Sequence, residues 1–178
     1  MEHLFVARHG TQGIDGKLSD EGRAQAAVLG DDINNILNGS SAYILSSSAP
    51  IAIESAKTIT LRLAKREISY LVEVIPYLWT GEGAPEGSYG SAFNDCNGFL
   101  MEILNGRREN AEGIIIVSHL EVVNFFPKYF RRKEFGVTEH IETLGHGSAV
   151  HFDIRHKTYR ILGYCRRNNK EKTDQKPD

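Results

Sequence analysis

The sequence predicts an α/β protein, folded as a three-layer α/β/α sandwich with a mostly parallel central sheet and an antiparallel edge. Two patterns support this prediction. Short apolar runs alternate with helical patterns along most of the chain, which is typical of parallel strands joined by helices. The last two apolar runs follow each other across a short polar turn, which indicates an antiparallel hairpin. A chain of 178 residues is long enough for one such domain.

The first half of the chain supplies three predicted strands separated by two helices. The strands cover residues 4–7, 43–45 and 68–75. The first helix begins at Ser19 or Asp20, either of which can cap it, and ends before Asn38-Gly39. Pro50 fits the first turn of the second helix, which extends to about Lys65.

The second half begins with a loop and ends with a tail. Residues 80–90 hold five glycine or proline positions, so we expect a flexible loop there, where a lid over the active site would lie. A helix near residues 92–104, a strand over residues 113–118 and a helix around Phe125 follow. The predicted hairpin comprises residues 149–154 and 158–162. Almost all of residues 166–178 are polar or charged, which predicts a disordered tail after a domain over residues 1–165.

Composition narrows the possible partners. A formal net charge of −2 gives no electrostatic reason to expect nucleic acid or an anionic membrane as a partner. We find no basic-then-apolar leader and no apolar run near the length of a membrane span, so we expect a cytoplasmic protein. Cys96 and Cys165 match no metal or redox spacing. The oligomeric state stays open.

Arg8 and His9 stand together at the carboxyl end of the first predicted strand, where open α/β sheets bind their ligands. A neutral imidazole is a good nucleophile towards phosphorus, and a guanidinium can hold two phosphate oxygens in a fixed fork. We expect Gly10 to allow a tight turn and to leave amide N–H groups free to face an anion. These residue types suit phosphoryl transfer.

A second histidine ends another apolar strand far along the chain. The β-branched run over residues 114–117 is followed by Ser118 and His119, and then by the apolar positions of a helix. Both strands are predicted to lie centrally in one parallel sheet. We therefore expect His9 and His119 to converge, with Arg8, around a tetrahedral anion.

At four places the sequence resembles the histidine phosphatase superfamily, the phosphoglycerate mutase-like group with an Arg-His-Gly signature. The first place is Arg8-His9-Gly10. Residues 18–26 are similar to the family's Leu-Thr-x-x-Gly-x-x-Gln-Ala helix start, and residues 44–58 to its second strand, serine turn and second helix. Residues 117–119 are similar to its late histidine motif. The four occur in the family's order, and the likeness extends from residue 4 to about residue 163.

The resemblance implies a role for each site residue. His9 would be the nucleophile that forms a phosphohistidine intermediate, Arg8 a clamp on the phosphate, and His119 a partner that stabilises the transferring group. Water would then hydrolyse the intermediate, and neither a metal nor a cofactor is required. The residues expected to bind the substrate are Gly10, Thr11, Ser47, Leu120 and His146. For His146, an ordinary histidine of a surface turn is the preferred interpretation.

Several departures from the family pattern indicate weaker binding of phosphate. Ile51 stands where members carry a second arginine, and the loss of one charge-assisted contact of about 1.5–3 kcal/mol lowers affinity by roughly one to two powers of ten. Arg62 replaces that arginine only if the chain bends back, which we do not expect. Leu120 and Glu121 replace small residues after the late histidine, and the carboxylate repels a phosphate docked there. Asp15 stands about where members have a phosphate-contacting asparagine.

The leaving group also needs a proton donor, which the family commonly supplies from the loop after its third strand. Glu82 is the better candidate for this carboxylate and Glu86 the alternative, although Thr80 stands at the expected Leu-x-Glu spacing. Glu82 as a solvated loop residue is an equally open interpretation. Members that act on phosphohistidine can dispense with a strong acid, because imidazole leaves more readily than an alkoxide.

The remaining histidines, His3, His140, His151 and His156, have no partner in the sequence that singles them out. The seven histidines lack the close pair or carboxylate spacing of a zinc site, so we predict no metal.

Two classes of function follow from these residues. The preferred one is a histidine-type acid phosphatase, a hydrolase of phosphoric monoesters, whose substrate is a small phosphorylated molecule or a phosphohistidine protein. The alternative is a catalytically impaired relative that binds a phosphorylated ligand or a protein partner through the same pocket. A phosphoglycerate mutase is a weaker alternative, because isomerisation needs the charge that Ile51 removes. The sequence does not specify the substrate.

Overall fold

The computed structural model describes residues 1–37, 41–65, 67–81, 83–86, 88–89, 93–109, 111–138 and 140–163. These residues form a six-stranded sheet and four α-helices. In chain order the elements are β1 (His3–Arg8), α1 (Asp20–Leu37), β2 (Ser41–Ser47), α2 (Pro50–Ala64), β3 (Ser69–Ile75), α3 (Phe93–Arg107), β4 (Gly113–Ser118), α4 (Leu120–Phe135), β5 (Ser148–Asp153) and β6 (Thr158–Gly163). A turn of 3-10 helix (Pro76–Leu78) follows β3.

The strand order is β3-β2-β4-β1-β5-β6. Strands β1 to β4 pair in parallel, whereas β5 and β6 run antiparallel and form one edge. The predicted sheet with its antiparallel edge is therefore confirmed. The run Ile114-Ile115-Ile116-Val117 in β4 has no exposed surface. Such a continuous apolar run is typical of a strand that helices cover on both faces.

Alternate side chains of β1 point into the two layers of the sandwich. Leu4 and Val6 belong to one apolar cluster, together with residues of α3 and α4. Phe5 and Ala7 belong to the other cluster, together with residues of α1 and α2. Helices thus cover both faces of the sheet, and the three-layer prediction is confirmed.

Two neighbouring strands leave the sheet towards opposite faces. β1 leads into α1, and the adjacent β4 leads into α4 on the other side of the sheet. This divergence opens a crevice at the carboxyl ends of the strands, which is where open α/β sheets bind ligands. The parallel register pairs Arg8 with Ser118, so His9 and His119 follow from adjacent strand ends.

The predicted elements agree with the observed ones to within a few residues. β2 is longer at both ends than the predicted run over residues 43–45, and α3 ends at Arg107, later than predicted. The end of the predicted loop is anchored, because Tyr89 is buried and its hydroxyl donates to Asn97 Oδ1 at 2.5 Å. The predicted tail lies outside the described residues, as does Cys165. None of the described helices is both long and apolar enough to cross a lipid bilayer.

His151 has specific partners that the sequence did not indicate. Its ring stacks on Phe5 with centroids 4.7 Å apart. Arg160 Nε donates to His151 Nδ1 at 3.2 Å, so the neutral ring carries its proton on Nε2 and donates it to His3 Nδ1 at 3.2 Å. The sequence singled out no partner for His3 or His151, and the folded chain pairs the two with each other. The two rings belong to adjacent antiparallel strands, and pairing across strands leaves no signal in the sequence spacing.

Titration of His151 is expected to make stability depend on pH. Burial, followed by the charges of His3 and Arg160, lowers its pKa from 6.5 to about 4. Below pH 6.5 the unfolded chain therefore binds more protons at His151 than the folded chain does. The contribution of His151 to the free energy of unfolding is complete above pH 6.5 and is lost as the pH falls towards 4. The expected loss from this one ring is on the order of 3 kcal/mol.

Chemical denaturation of the His151→Gln variant between pH 7 and pH 4 tests this expectation. The free energy of unfolding of the variant should fall less steeply with acidification than that of the original chain. His140→Gln is the matched control, because it makes the same change at an exposed histidine. Equal slopes for His151→Gln and the unaltered protein would contradict the assignment.

Candidate active site

Three histidines meet at the carboxyl ends of β1 and β4. The ring centroids of His9 and His119 are 5.0 Å apart in an edge-to-face arrangement. The centroid of His146, in the connection between α4 and β5, is 5.4 Å from that of His9 on another side. The structure thus brings His9 and His119 together, as the sequence predicted. His146, for which an ordinary surface-turn histidine was the preferred interpretation, is half-buried beside His9.

Backbone hydrogen bonds fix this convergence. The His9 N–H donates to the Ser118 carbonyl at 2.9 Å, which continues the β1–β4 pairing one residue beyond the strand. The His9 carbonyl accepts from the Gly147 N–H at 3.1 Å, which holds the segment after His146 against the other side. The main chain of His9 is therefore held by two separate parts of the chain, and its ring has a defined position between them.

His9 has the protonation state of a nucleophile. Its Nδ1 lies 2.8 Å from the Gly10 carbonyl, which can only accept, so Nδ1 carries the proton and Nε2 keeps a lone pair. Burial lowers the pKa of His9 to about 4, against the opposing effect of that hydrogen bond, and the neighbouring His119, His146 and Arg8 lower it further. The ring is consequently neutral near pH 7.

Arg8 lies within reach of all three rings. Its positive charge lowers the pKa of each of the three histidines, after the larger effect of burial. Arg8 Nη1 donates to the Leu144 carbonyl at 3.0 Å, so the guanidinium is tied to the same α4–β5 connection that carries His146. The cluster therefore combines one fixed positive charge with three imidazoles, a donor set that suits an oxyanion.

His119 is oriented by Ser47 at the end of β2. His119 Nε2 lies 3.0 Å from Ser47 Oγ, which also accepts from the Ala49 N–H at 3.3 Å. Burial lowers the pKa of His119 to about 4, while the charge of Glu121 acts in the opposite direction. Ser47, which was expected to bind substrate, thus contacts the ring of His119.

The amides of Gly10 and Thr11 have partners within the protein. The Gly10 N–H donates to Ser55 Oγ at 3.1 Å, and the Thr11 N–H donates to Gln25 Oε1 at 2.9 Å. The expectation that these amides are free to face an anion is therefore wrong. Glycine is needed at position 10 for a different reason, because a Cβ there would collide with the carbonyl of Gly22 in the first turn of α1.

Other predicted contacts fall outside the cluster. Asp15 is exposed, and its Oδ1 accepts from the Lys17 N–H at 3.1 Å within a local turn. Arg62 forms a two-pronged ion pair with Asp31 at 2.7 and 2.9 Å and does not reach the site. Ile51 is 5% exposed and packs in the apolar cluster of α1 and α2, where it supplies neither charge nor a hydrogen bond.

The expected proton donors were Glu82 and its alternative, Glu86. Glu82 lies outside the described residues, and Glu86 is exposed in the loop that follows β3. Leu120 is the first residue of α4, next to His119. Sequence reasoning overlooked one contact nearby, in which Thr80 Oγ1 donates to Glu121 Oε2 at 2.5 Å. The available signal was Thr80 itself, an uncharged residue at the spacing expected for an acid.

Metal-binding side chains gather elsewhere. Among the described residues, one group of three has all its potential ligand atoms within 4.8 Å of one another: Glu2, His3 and Glu112. It lies at the amino end of β1, about 20 Å from the histidine cluster at the other end of the strand. Glu2 is exposed, and the other two are half-exposed. The sequence prediction that the site works without a metal stays a prediction.

Comparison with known proteins places the fold. No family model and no curated protein sequence matches the chain. Three solved structures illustrate the likeness, and each covers over 90% of the chain. The protein histidine phosphatase SixA complexed with tungstate gives a TM-score of 0.65 at 16% identity, covering 92% of this chain and 98% of that one.

The alpha-ribazole phosphatase from Shigella flexneri gives a TM-score of 0.57 at 18% identity, and the match covers 91% of this chain and 96% of that one. A structure named mycobacterial hydrolase 1 gives a TM-score of 0.58 at 16% identity, and the match covers 92% of this chain and 97% of that one. Identities this low show the fold alone. In agreement with the resemblance noted in the sequence, the chain has the histidine phosphatase fold, which is also called the phosphoglycerate mutase-like fold.

Proposed function

We propose that the protein is a phosphatase that hydrolyses a phosphorylated small molecule or a phosphohistidine protein through a phosphohistidine intermediate on His9. The observation that carries this proposal is the state of His9. The ring is neutral near pH 7, its proton lies on Nδ1, and Nε2 is available beside a guanidinium and a second imidazole. Such an imidazole needs no further activation to attack phosphorus.

The reaction would proceed in two steps. In the first, the His9 Nε2 lone pair forms a bond to phosphorus, and the bond from phosphorus to the leaving group breaks. Arg8, His119 and His146 surround His9 and would hold the three equatorial oxygens, where charge is spread in the transition state. In the second step, water attacks phosphorus, the P–N bond breaks, and inorganic phosphate and neutral His9 are released.

The structural relatives support the same class of ligand. Tungstate, the ligand of the SixA structure, is a tetrahedral oxyanion like phosphate. SixA is named as a protein histidine phosphatase and the Shigella flexneri protein as an alpha-ribazole phosphatase, so relatives with this fold include phosphatases of a protein and of a small molecule. For this chain, both kinds of substrate are included in the proposal.

One observation favours a second candidate function. Ile51 is buried at the position of the family's second arginine, and Arg62 is paired with Asp31. A site with less positive charge binds phosphate more weakly, so a catalytically impaired protein that only binds a phosphorylated ligand is the alternative. The two candidates differ in whether a covalent bond to His9 forms.

The His9→Ala variant separates the two candidates. With p-nitrophenyl phosphate and a phosphohistidine peptide as substrates, the unaltered protein should release phosphate, and His9→Ala should reduce the rate to background because no nucleophile remains. Incubation with labelled substrate followed by denaturation should trap acid-labile phosphate on the unaltered chain alone. His140→Ala, a change at an exposed histidine, is the matched control and should retain activity.

Background rates in both the unaltered and the His9→Ala protein, with phosphate binding retained, would reject the enzyme and favour the binding protein. Turnover that survives His9→Ala while no phosphoprotein forms would reject His9 as the nucleophile. Both outcomes are measured on the same two preparations, the unaltered protein and His9→Ala.

The pKa of His9 provides a test that does not depend on knowing the substrate. NMR titration of the histidine Cε1–H signals, with His9→Ala used to assign the His9 resonance, should give a pKa of about 4 for His9, because burial disfavours the charged ring. His9 should thus be neutral and nucleophilic throughout the range above pH 5. A value near the ordinary 6.5 would contradict the burial that the proposal requires.

A further inference from the structure

Thr80 and Glu121 together form a carboxylate site that the family pattern does not describe. Thr80 stands at the spacing where relatives commonly supply an acid from the loop after β3, and here its hydroxyl donates to Glu121 Oε2 at 2.5 Å. We propose that Glu121, held by Thr80, is the proton donor to the leaving group, and that the substrate is a phosphate monoester of an alcohol. This inference rests on the proposed phosphatase function and adds the acid and the substrate class.

Glu121 is close to the reacting centre. It is the second residue of α4, and its charge acts directly on the His119 ring, whose centroid is 5.0 Å from that of His9. The side chain is half-buried, so it is partly shielded from water. Because Thr80 of the loop after β3 contacts it, the Glu121 carboxyl group lies on the side of His119 that faces this loop.

The loop after β3 is fixed against the start of α4. Ser118 Oγ, next to His119, donates to the Leu78 carbonyl at 2.7 Å, and the Trp79 N–H closes the 3-10 turn by donating to the Pro76 carbonyl at 3.1 Å. These two contacts bring Thr80 to Glu121. Within the described part of the chain, the hydroxyl binds one carboxyl oxygen and the other has no hydrogen-bond partner, so one oxygen is positioned and one is available for proton transfer.

Two other carboxylates are weaker candidates. Glu21 in α1 influences the pKa of His146, but its side chain is exposed and its Oε1 accepts from Gln25 Nε2 at 3.2 Å. Glu86 is exposed in the loop. Among the residues that the structure describes, Glu121 is the carboxylate whose charge acts on His119 and which a neighbouring side chain orients.

The acid determines which leaving groups the site can release. As His9 Nε2 bonds to phosphorus, the P–O bond to the leaving group breaks and its oxygen takes the proton of the Glu121 carboxyl, which gives a neutral alcohol. In the second step, the Glu121 carboxylate accepts a proton from water as the water oxygen attacks phosphorus and the P–N bond breaks, so the carboxyl is restored. An alkoxide is too basic to leave without that proton, whereas p-nitrophenolate leaves without it.

The test compares two substrates in matched variants. For glycerol 2-phosphate, an alkyl ester, Glu121→Gln should lower kcat/KM by about 100- to 10,000-fold, because general acid catalysis is lost. For p-nitrophenyl phosphate the same variant should change kcat/KM by less than about tenfold, which also demonstrates that it folds. Glu102→Gln makes the same chemical change at an exposed residue of α3 and should leave both rates unchanged.

Two further variants address the role of Thr80. Thr80→Val keeps the Glu121 carboxyl but removes its hydrogen bond, and should lower kcat/KM for glycerol 2-phosphate by about tenfold, with little change for p-nitrophenyl phosphate. Thr80→Glu combined with Glu121→Thr returns the carboxyl to the position expected from the family and should recover most of the activity towards glycerol 2-phosphate. A merely structural role of Glu121 would not produce this dependence on the leaving group.

Equal losses for both substrates in Glu121→Gln would overturn the inference, as would a selective loss for the alkyl ester in Glu21→Gln but not in Glu121→Gln. In both cases labelled phosphate would still be trapped on His9, and the proposed function would stand. If the unaltered protein forms no phosphoprotein with either substrate, the phosphatase proposal fails, and this inference fails with it.

Discussion

Parallel pairing of β1 with β4 is the contact on which the candidate site depends. It places two strand ends beside each other, and the His9 N–H extends the pairing to the Ser118 carbonyl. The helices that follow these strands cover opposite faces of the sheet, so the chain diverges where the two histidines emerge. Two imidazoles remote in the sequence therefore meet without a loop having to fold between them, because strand register alone sets their separation.

Burial then determines what those imidazoles can do. Removal from water favours the neutral ring, and the Gly10 carbonyl selects the tautomer that leaves Nε2 of His9 unprotonated. Burial likewise favours the neutral ring of His119, although the charge of Glu121 opposes the shift of its pKa. A dianionic phosphate would add negative charge next to both rings and favour protonation of His119. The ligand itself would thus convert the neutral His119 ring into a charged hydrogen-bond donor.

The strands, the helices and the meeting of His9 with His119 could be predicted from the sequence, because apolar periodicity and the shared edge of parallel strands are local or topological properties. Contacts between distant side chains could not. The Gly10 amide is bound by Ser55 of α2, and His151 is bound by Arg160 across a hairpin. Both depend on which residues face each other after packing, and many polar residues of the chain fit such a role equally well by spacing.

Thr80 shows why a departure from a family pattern is difficult to interpret from sequence alone. According to the resemblance, Thr80 and Ile51 both stand where relatives carry a charged group. In the folded chain their consequences differ, because Thr80 contacts a carboxylate on α4, whereas Ile51 packs among apolar residues of the core. Thr80 thus keeps a hydrogen bond to a charged side chain, whereas Ile51 contributes to apolar packing.

The charges of the site can therefore be considered separately for binding and for chemistry. Loss of an arginine that would hold the phosphate equally in the bound substrate and in the transition state raises KM and leaves kcat unchanged. A carboxyl group next to the leaving oxygen acts differently, because its proton is transferred only as the P–O bond breaks. Weak retention of phosphate and effective release of an alcohol are compatible in one pocket. On the proposed function, Ile51 would therefore lower the affinity for phosphate, and the proposed catalysis would depend on His9.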